Sequence, residues 1–171
     1  MLRVSALALA AALTACAGPG PTALAPTPAA TAPSLPPLTL PLQDGTPWTS
    51  TAPRTELLVV DVWASYCKPC AKAFPHLTAI DARADVAVVG ISVDEDDAAV
   101  AAFLAAVPAG FAIARDRDLT VQDPPLAVTS LPTVLVVDRA GRIRWRKAET
   151  TEADYRALPA LLDALAAEPA R

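Results

Sequence analysis

Two cysteines separated by two residues, Cys67 and Cys70, hold the most reactive chemistry in the chain. A thiolate is both a nucleophile and a metal ligand, so a pair at this spacing can close a short disulfide or supply half of a tetrahedral zinc cage. The chain does not contain the rest of a cage. Three cysteines are present in all, with one histidine, His76, and the third cysteine, Cys16, stands some fifty residues away in an N-terminal stretch of different composition. No metal and no other cofactor is therefore expected, the Cys67–Cys70 pair being itself the redox group.

The flanking residues say how the pair is held. Leu57 to Val62 is aliphatic and β-branched, broken once by Asp61, which predicts a central parallel strand buried on both faces. After Trp63, Ala64, Ser65 and Tyr66 the pattern changes to Ala, Lys, Phe, His and Leu, so a helix is expected to begin at the first cysteine. The unpaired amides and positive dipole end of a helix favour a thiolate, which makes Cys67 the expected nucleophile. Cys70, one turn further in and on the same side, is shielded yet close enough to close a disulfide, and is the expected resolving thiol. An ionised Asp61 inside an apolar strand is costly, so its pKa should be raised and its carboxyl available to exchange a proton with Cys70.

The residues WASYCKPC resemble the active-site motif of the thioredoxin superfamily. Asp61, six before Cys67, stands where thioredoxins carry a buried acid, and Pro75, eight after it, where they carry a helix-kinking proline. Further on, Ser130, Leu131, Pro132 and Thr133 lead into the strand Val134 to Val137 and resemble the family's cis-proline loop, which faces the cysteine pair. A trans proline at a strand entry is the plainer reading of that loop alone; beside the first motif the cis loop is expected. The resemblance implies that the backbone of Leu131 pairs with an extended substrate segment. Trp63, Tyr66, Lys68, Pro69, Leu131 and Pro132 are the expected substrate-binding residues. Lys68 adds positive charge beside the thiolate, and Pro69 stiffens the helix start at the loss of one backbone donor.

The implied fold is α/β, a thioredoxin-like three-layer α/β/α sandwich with a central mixed sheet, over residues 38–168. The chain is most similar to the membrane-tethered, extracytoplasmic TlpA and ResA type. These are thiol:disulfide oxidoreductases, which implies exchange with cysteines or disulfides of exported proteins, as a reductant recharged by a membrane thiol donor, for example in cytochrome c maturation. One departure is Ala73, where ResA-like members carry a glutamate. A thiol peroxidase of the same fold would carry threonine three before Cys67, where Ala64 stands. A copper-handling module needs a longer cysteine spacing and a distal histidine, whereas His76 follows the motif closely and reads as an exposed helix residue. A redox-inactive binding module of the same fold is the remaining alternative.

The N-terminal stretch is different in kind. Met1 to Ala15 carries Arg3, an apolar run, and then Leu13, Thr14 and Ala15 before Cys16, which resembles a bacterial lipoprotein signal with cleavage before an acylated Cys16. The run is too short to span a bilayer unaided. Ala17 to Pro37 has no charged residue and is rich in Ala, Pro and Thr, which predicts a polyproline-like tether over residues 16–37. At about 3.1 Å per residue it would reach roughly 60 Å from the membrane. The expected location is thus extracytoplasmic, lipid-anchored on the periplasmic side of a bacterial envelope. A net charge of −4 with no polybasic run gives no reason to invoke nucleic acid, and a monomer is expected.

Within the domain, residues 38–49 suggest an edge hairpin turning at Gln43–Gly45, and Val86 to Val93 a second buried parallel strand. The acidic run Asp94 to Asp97 reads as the first turn of a helix carrying Val100, Phe103, Leu104 and Val107 rather than as a metal site. Phe111 to Ala114 is a short strand, and residues 115–125 are irregular with one short helix. Asp138 to Gly141 turns the chain into a half-exposed edge strand, Arg142 to Lys147. Thr151 starts a last helix whose apolar face is Tyr155, Leu158, Leu161, Leu162 and Leu165.

Overall fold

The computed structural model describes residues 23–52 and 57–169, so Met1 to Ala15 and Cys16 lie outside the described residues. Two short strands, β1 (Thr39–Pro41) and β2 (Pro47–Thr49), pair antiparallel. Their turn places Gly45 at φ 84°, a conformation open to glycine, and Asp44 accepts hydrogen bonds from the amide and hydroxyl of Thr46 at 2.9 and 2.6 Å. After the hairpin come β3 (Leu57–Trp63), α1 (Lys68–Asp81), β4 (Val86–Ser92), α2 (Asp97–Ala106), β5 (Ala112–Arg115), β6 (Thr133–Val137), β7 (Ile143–Ala148) and α3 (Glu152–Ala166).

β3 to β7 form one mixed sheet in the order β5-β4-β3-β6-β7. β3 runs parallel to β4 and antiparallel to β6, and every residue of β3 is buried, which is why its sequence is apolar on both faces save for Asp61 instead of alternating. The hairpin meets the β5 edge, where the Gln43 amide donates to the Ile113 carbonyl at 2.9 Å. Helices flank the sheet in a thioredoxin-like α/β arrangement. α1 packs against α3 and β4, and Tyr155 of α3 reaches Asp61 of β3 on the same side. Lys147 points to that side too, bonding Asp154 of α3. Arg146, its neighbour along the strand, donates to the Ala127 carbonyl at 3.3 Å, so segment 116–128, with its 3-10 turn Thr120–Gln122, covers the opposite face. That segment buries Val121, Leu126 and Val128, and it holds a cis bond at Pro125 that has no counterpart in the sequence expectations.

An aromatic cluster ties the active-site end together. Trp63, Phe74, Phe103 and Phe111 meet with ring centroids 4.7 to 5.2 Å apart, and such pairs add about 0.5–1.5 kcal/mol each beyond the area they bury. Gly90 makes room for them: a Cβ there would stand 2.9 Å from Phe111 and 3.0 Å from Nε1 of Trp63.

The proline-rich segment departs from expectation. Residues 27–35, read as tether, lie on the domain: the Thr27 amide donates to Arg144 O at 2.6 Å, the Ile143 amide to Pro33 O at 2.7 Å, and the Leu35 amide to Gly141 O at 2.8 Å. Leu35 is buried. An edge strand leaves backbone groups unpaired, and this segment takes them up on either side of a turn in which the Thr31 and Ala32 amides donate to Pro28 O at 3.0 Å. Structured chain therefore reaches back to at least Thr27, not Leu38, and the tether's reach shortens accordingly. For the same reason Arg144 is buried instead of exposed, with its guanidinium on Glu168 at 2.7 and 2.8 Å and on Thr27 O at 2.7 Å.

Candidate active site

β3 ends at Trp63, and the chain turns through Ala64, Ser65 and Tyr66, the Cys67 amide donating back to Ala64 O at 3.0 Å. Cys67 is the N-cap of α1, with no side chain capping the helix. Pro75 lies inside α1, and Pro69 falls in its first turn, where a missing N–H costs little. Cys67 and Cys70 are joined in a disulfide with Cα atoms 5.3 Å apart. Cys67 is 8 % exposed and Cys70 fully buried, so the outer sulfur is the one an incoming group meets.

The turn is clamped by Asp94, which the sequence reading placed in a helix first turn. Helix α2 instead starts after its N-cap, Asp96. Asp94 is buried two residues earlier and accepts from the Ser65 amide at 2.9 Å, the Ser65 hydroxyl at 2.6 Å and the Ser92 hydroxyl at 2.9 Å. Hydrogen bonds to a carboxylate are the stronger kind, and these hold the residue two before Cys67 against the end of β4.

The Leu131–Pro132 peptide is cis. Its loop is held by the Thr133 hydroxyl on Ser130 O at 2.7 Å and by the Thr150 amide on Pro132 O at 3.0 Å. An open cleft of about 540 Å³ brings Thr129, Ser130 and Leu131 together with Tyr66, Cys67, Lys68 and Pro69. A second, of about 680 Å³, continues past Lys68, Pro69 and Leu131 to Lys72, Ala73, Pro132, Glu149–Glu152 and Tyr155. Five of the six residues expected to bind substrate thus line one continuous surface beside Cys67. Tyr66 is 73 % exposed, an aromatic platform next to the reactive sulfur. Trp63 is the exception: it is wholly buried in the aromatic cluster, because alternation along β3 turns it into the same layer as Asp61, where it meets Phe74 and Phe103. It braces the site from beneath and offers substrate no surface.

Asp61 is fully buried, and loss of hydration pushes its pKa up to about 7, while a hydrogen bond from Tyr155 to Oδ1 at 2.7 Å pulls the other way. Oδ2 has no hydrogen-bond partner among the described residues. Sequence reading assigned Tyr155 to packing only; the available signal was a hydroxyl in a helix face otherwise made of leucines, opposite a strand with a buried acid. His76 is half-buried, not exposed, its ring stacked on Tyr155 at 6.3 Å between centroids.

This arrangement can cycle between disulfide and dithiol. In the reduced protein Cys67 should be alkylated at least about tenfold faster than Cys70 at pH 7, since Cys67 stands at the helix N-terminus on the cleft whereas Cys70 is fully buried. Peptide mapping after a brief iodoacetamide pulse measures it, and equal labelling would remove the assignment of roles.

A helix-capping cysteine pair facing a cis-proline loop on a five-stranded mixed sheet defines a thioredoxin-like redox protein. The chain belongs to the Redoxin family, whose profile matches residues 28–165. It is 37 % identical over 115 residues to the thiol:disulfide interchange protein DsbE homolog of Paracoccus denitrificans, a match over 64 % of this chain and 62 % of that protein. Among solved structures, it resembles a Chlorobium tepidum protein provisionally described as thiol:disulfide interchange protein DsbE, with a TM-score of 0.72 and 27 % identity over 78 % of this chain and 96 % of that one. A Bacteroides thetaiotaomicron protein provisionally described as a protein disulfide isomerase shares the fold, with a TM-score of 0.69 and 22 % identity over 86 % and 96 % of the two chains.

Proposed function

We propose that the protein is an extracytoplasmic thiol:disulfide oxidoreductase. The observation that carries this reading is the Cys67–Cys70 disulfide at the start of α1, its outer sulfur opening on a cleft shared with the Pro132 loop. The named DsbE-type relatives support it. In the reducing direction the Cys67 thiolate attacks one sulfur of a substrate disulfide, and the other sulfur leaves as a thiolate. Cys70 then attacks Cys67, the bond between Cys67 and the substrate breaks, and the protein is left oxidised. A membrane thiol donor must return two electrons for another cycle. Asp61 serves as the proton acceptor for Cys70, a role its fully buried position and pKa near 7 suit.

The substrates are cysteine-containing exported proteins, with apocytochrome c cysteines the class suggested by the TlpA and ResA resemblance. A Cys70→Ala trap in a bacterial host should capture them as mixed disulfides through Cys67. Recovery of no protein in a reducible adduct, where Cys67→Ser also recovers none, would count against the reading.

Membrane attachment through a lipid on Cys16 completes the proposal, supported by Leu13 to Ala15 before it and the charge-free stretch behind it. With structured chain starting by Thr27, only about ten residues separate the anchor from the domain, a reach of roughly 30 Å when extended. Cys16→Ser should release the protein from membranes in a host with lipoprotein processing. Identical fractionation of both forms would assign the anchor elsewhere.

A further inference from the structure

The surroundings of Asp61 leave its two oxygens unequal. Across the sheet it pairs with Gly90 of β4 and Val134 of β6, neither of which titrates. α1 and α3 pack against each other, α1 carrying the titratable groups Cys70 and His76 and α3 carrying Asp154 and Tyr155. Asp154 is taken up by Lys147 of β7 at 2.6 Å and by the helix cap at Thr151, and His76 stacks on the Tyr155 ring. Tyr155 is what reaches the acid: its hydroxyl donates to Oδ1 at 2.7 Å, while Oδ2 is buried and without a partner among the described residues. The same tyrosine lines the larger cleft together with Ala73. Burial and the nearby carboxylates push its own pKa up, so it stays a donor throughout the working range.

We propose that Tyr155 is a positioning residue for proton transfer at Asp61, holding Oδ1 so that Oδ2 is the atom that accepts the Cys70 proton. When Cys70 resolves the mixed disulfide, its S–H bond breaks and the proton passes to Oδ2. The electron pair remains on Cys70 sulfur and forms the bond to Cys67, while the bond from Cys67 to the substrate breaks and the substrate leaves as a thiolate that solvent protonates. Without the tyrosine hydroxyl the carboxylate loses the donor on Oδ1 and binds its proton more tightly. The charged form is then scarcer at neutral pH.

The kinetic side of this inference rests on the proposed disulfide exchange; the titration side does not. Isotope-edited infrared spectra of the oxidised full chain, taken as differences against Asp61→Asn, follow the Asp61 carboxyl through its titration. Tyr155→Phe should move its midpoint to higher pH and slow Cys70 resolution roughly fivefold at pH 7, with the loss recovered at higher pH and the Cys67 attack step unchanged. Tyr155→Met, which fills the apolar site without a hydroxyl, should do the same, and covers the case in which the phenylalanine variant does not fold. In an Asp61→Asn background Tyr155→Phe should leave the pH profile of resolution as it was. An unmoved carboxyl midpoint, or equal effects with and without Asp61, would reduce Tyr155 to a packing residue. A wild-type protein that exchanges no disulfide while the midpoint still moves would sink the proposed function and leave the placement of Tyr155 standing.

Discussion

Cys67→Ser should bring insulin reduction by the dithiothreitol-charged protein down to the uncatalysed rate, a loss of roughly 10³-fold or more, because a serine hydroxyl at pH 7 offers no comparable anionic nucleophile. Cys67 is the sulfur at the helix N-terminus and on the cleft, whereas Cys70 is fully enclosed. Cys70→Ala should behave differently. It retains the first attack, and the mixed disulfide should accumulate to near one equivalent, since the thiol placed to resolve it is gone. Mass spectrometry of the quenched reaction separates the two variants. A Cys67→Ser protein that still forms the adduct would transfer the nucleophile's role to Cys70.

Asp61→Asn should have two measurable effects of opposite sign. Resolution by Cys70 should slow by about 10²- to 10⁴-fold, the range of positioned general-base catalysis, while attack by Cys67 stays nearly unchanged. Stability should rise. With a pKa of about 7 in the folded chain and about 3.9 when unfolded, Asp61 binds its proton more tightly in the native state. Between those values the native state holds more protons than the unfolded one, so wild-type stability is full below about pH 4 and declines as the pH rises to about 7. The cost at pH 8 is on the order of 4 kcal/mol for a group this buried. The asparagine variant keeps an acceptor for Tyr155 and has nothing to ionise; it should match wild type below about pH 4 and exceed it by roughly 2 to 4 kcal/mol at pH 8. Denaturant melts of the oxidised proteins at both pH values test this. Equal stability at pH 8, or unimpaired resolution, would make Asp61 an ordinary buried acid with no share in the chemistry.

Several features were legible because they are properties of short stretches of chain. An aliphatic run with a single acidic interruption reads as a strand or helix buried on all sides, and Leu57 to Val62 is short enough to be the former. The change of period after Tyr66 marked the start of α1 to within one residue. Thr151 ahead of a leucine-spaced run marked the start of the last helix, which it caps. The motif around Cys67 and the loop at Pro132 were each readable locally, and their resemblance to one family predicted that they would meet.

What the sequence could not decide depended on which distant segments become neighbours. Tyr155 and Asp61 are 94 positions apart, and nothing in either segment names the other. Asp94 looked like one more helix-starting acid until the end of β4 brought it beneath Ser65, 29 positions away. Composition alone shows that a proline-rich segment cannot build a core, but it says nothing of a free strand edge on which that segment can lie, and so residues 27–35 were misplaced. Trp63 was misassigned for a related reason: nearness in sequence to a reactive cysteine does not say which face of the sheet a side chain takes. The chain by itself determined the cysteine pair and the strand and helix that carry it, since spacing and periodicity act within a few residues. Only the tertiary structure determined the hydrogen-bond partner of the buried acid and the clamp beneath the active-site turn, because both are made by contacts between elements that chain order does not place together.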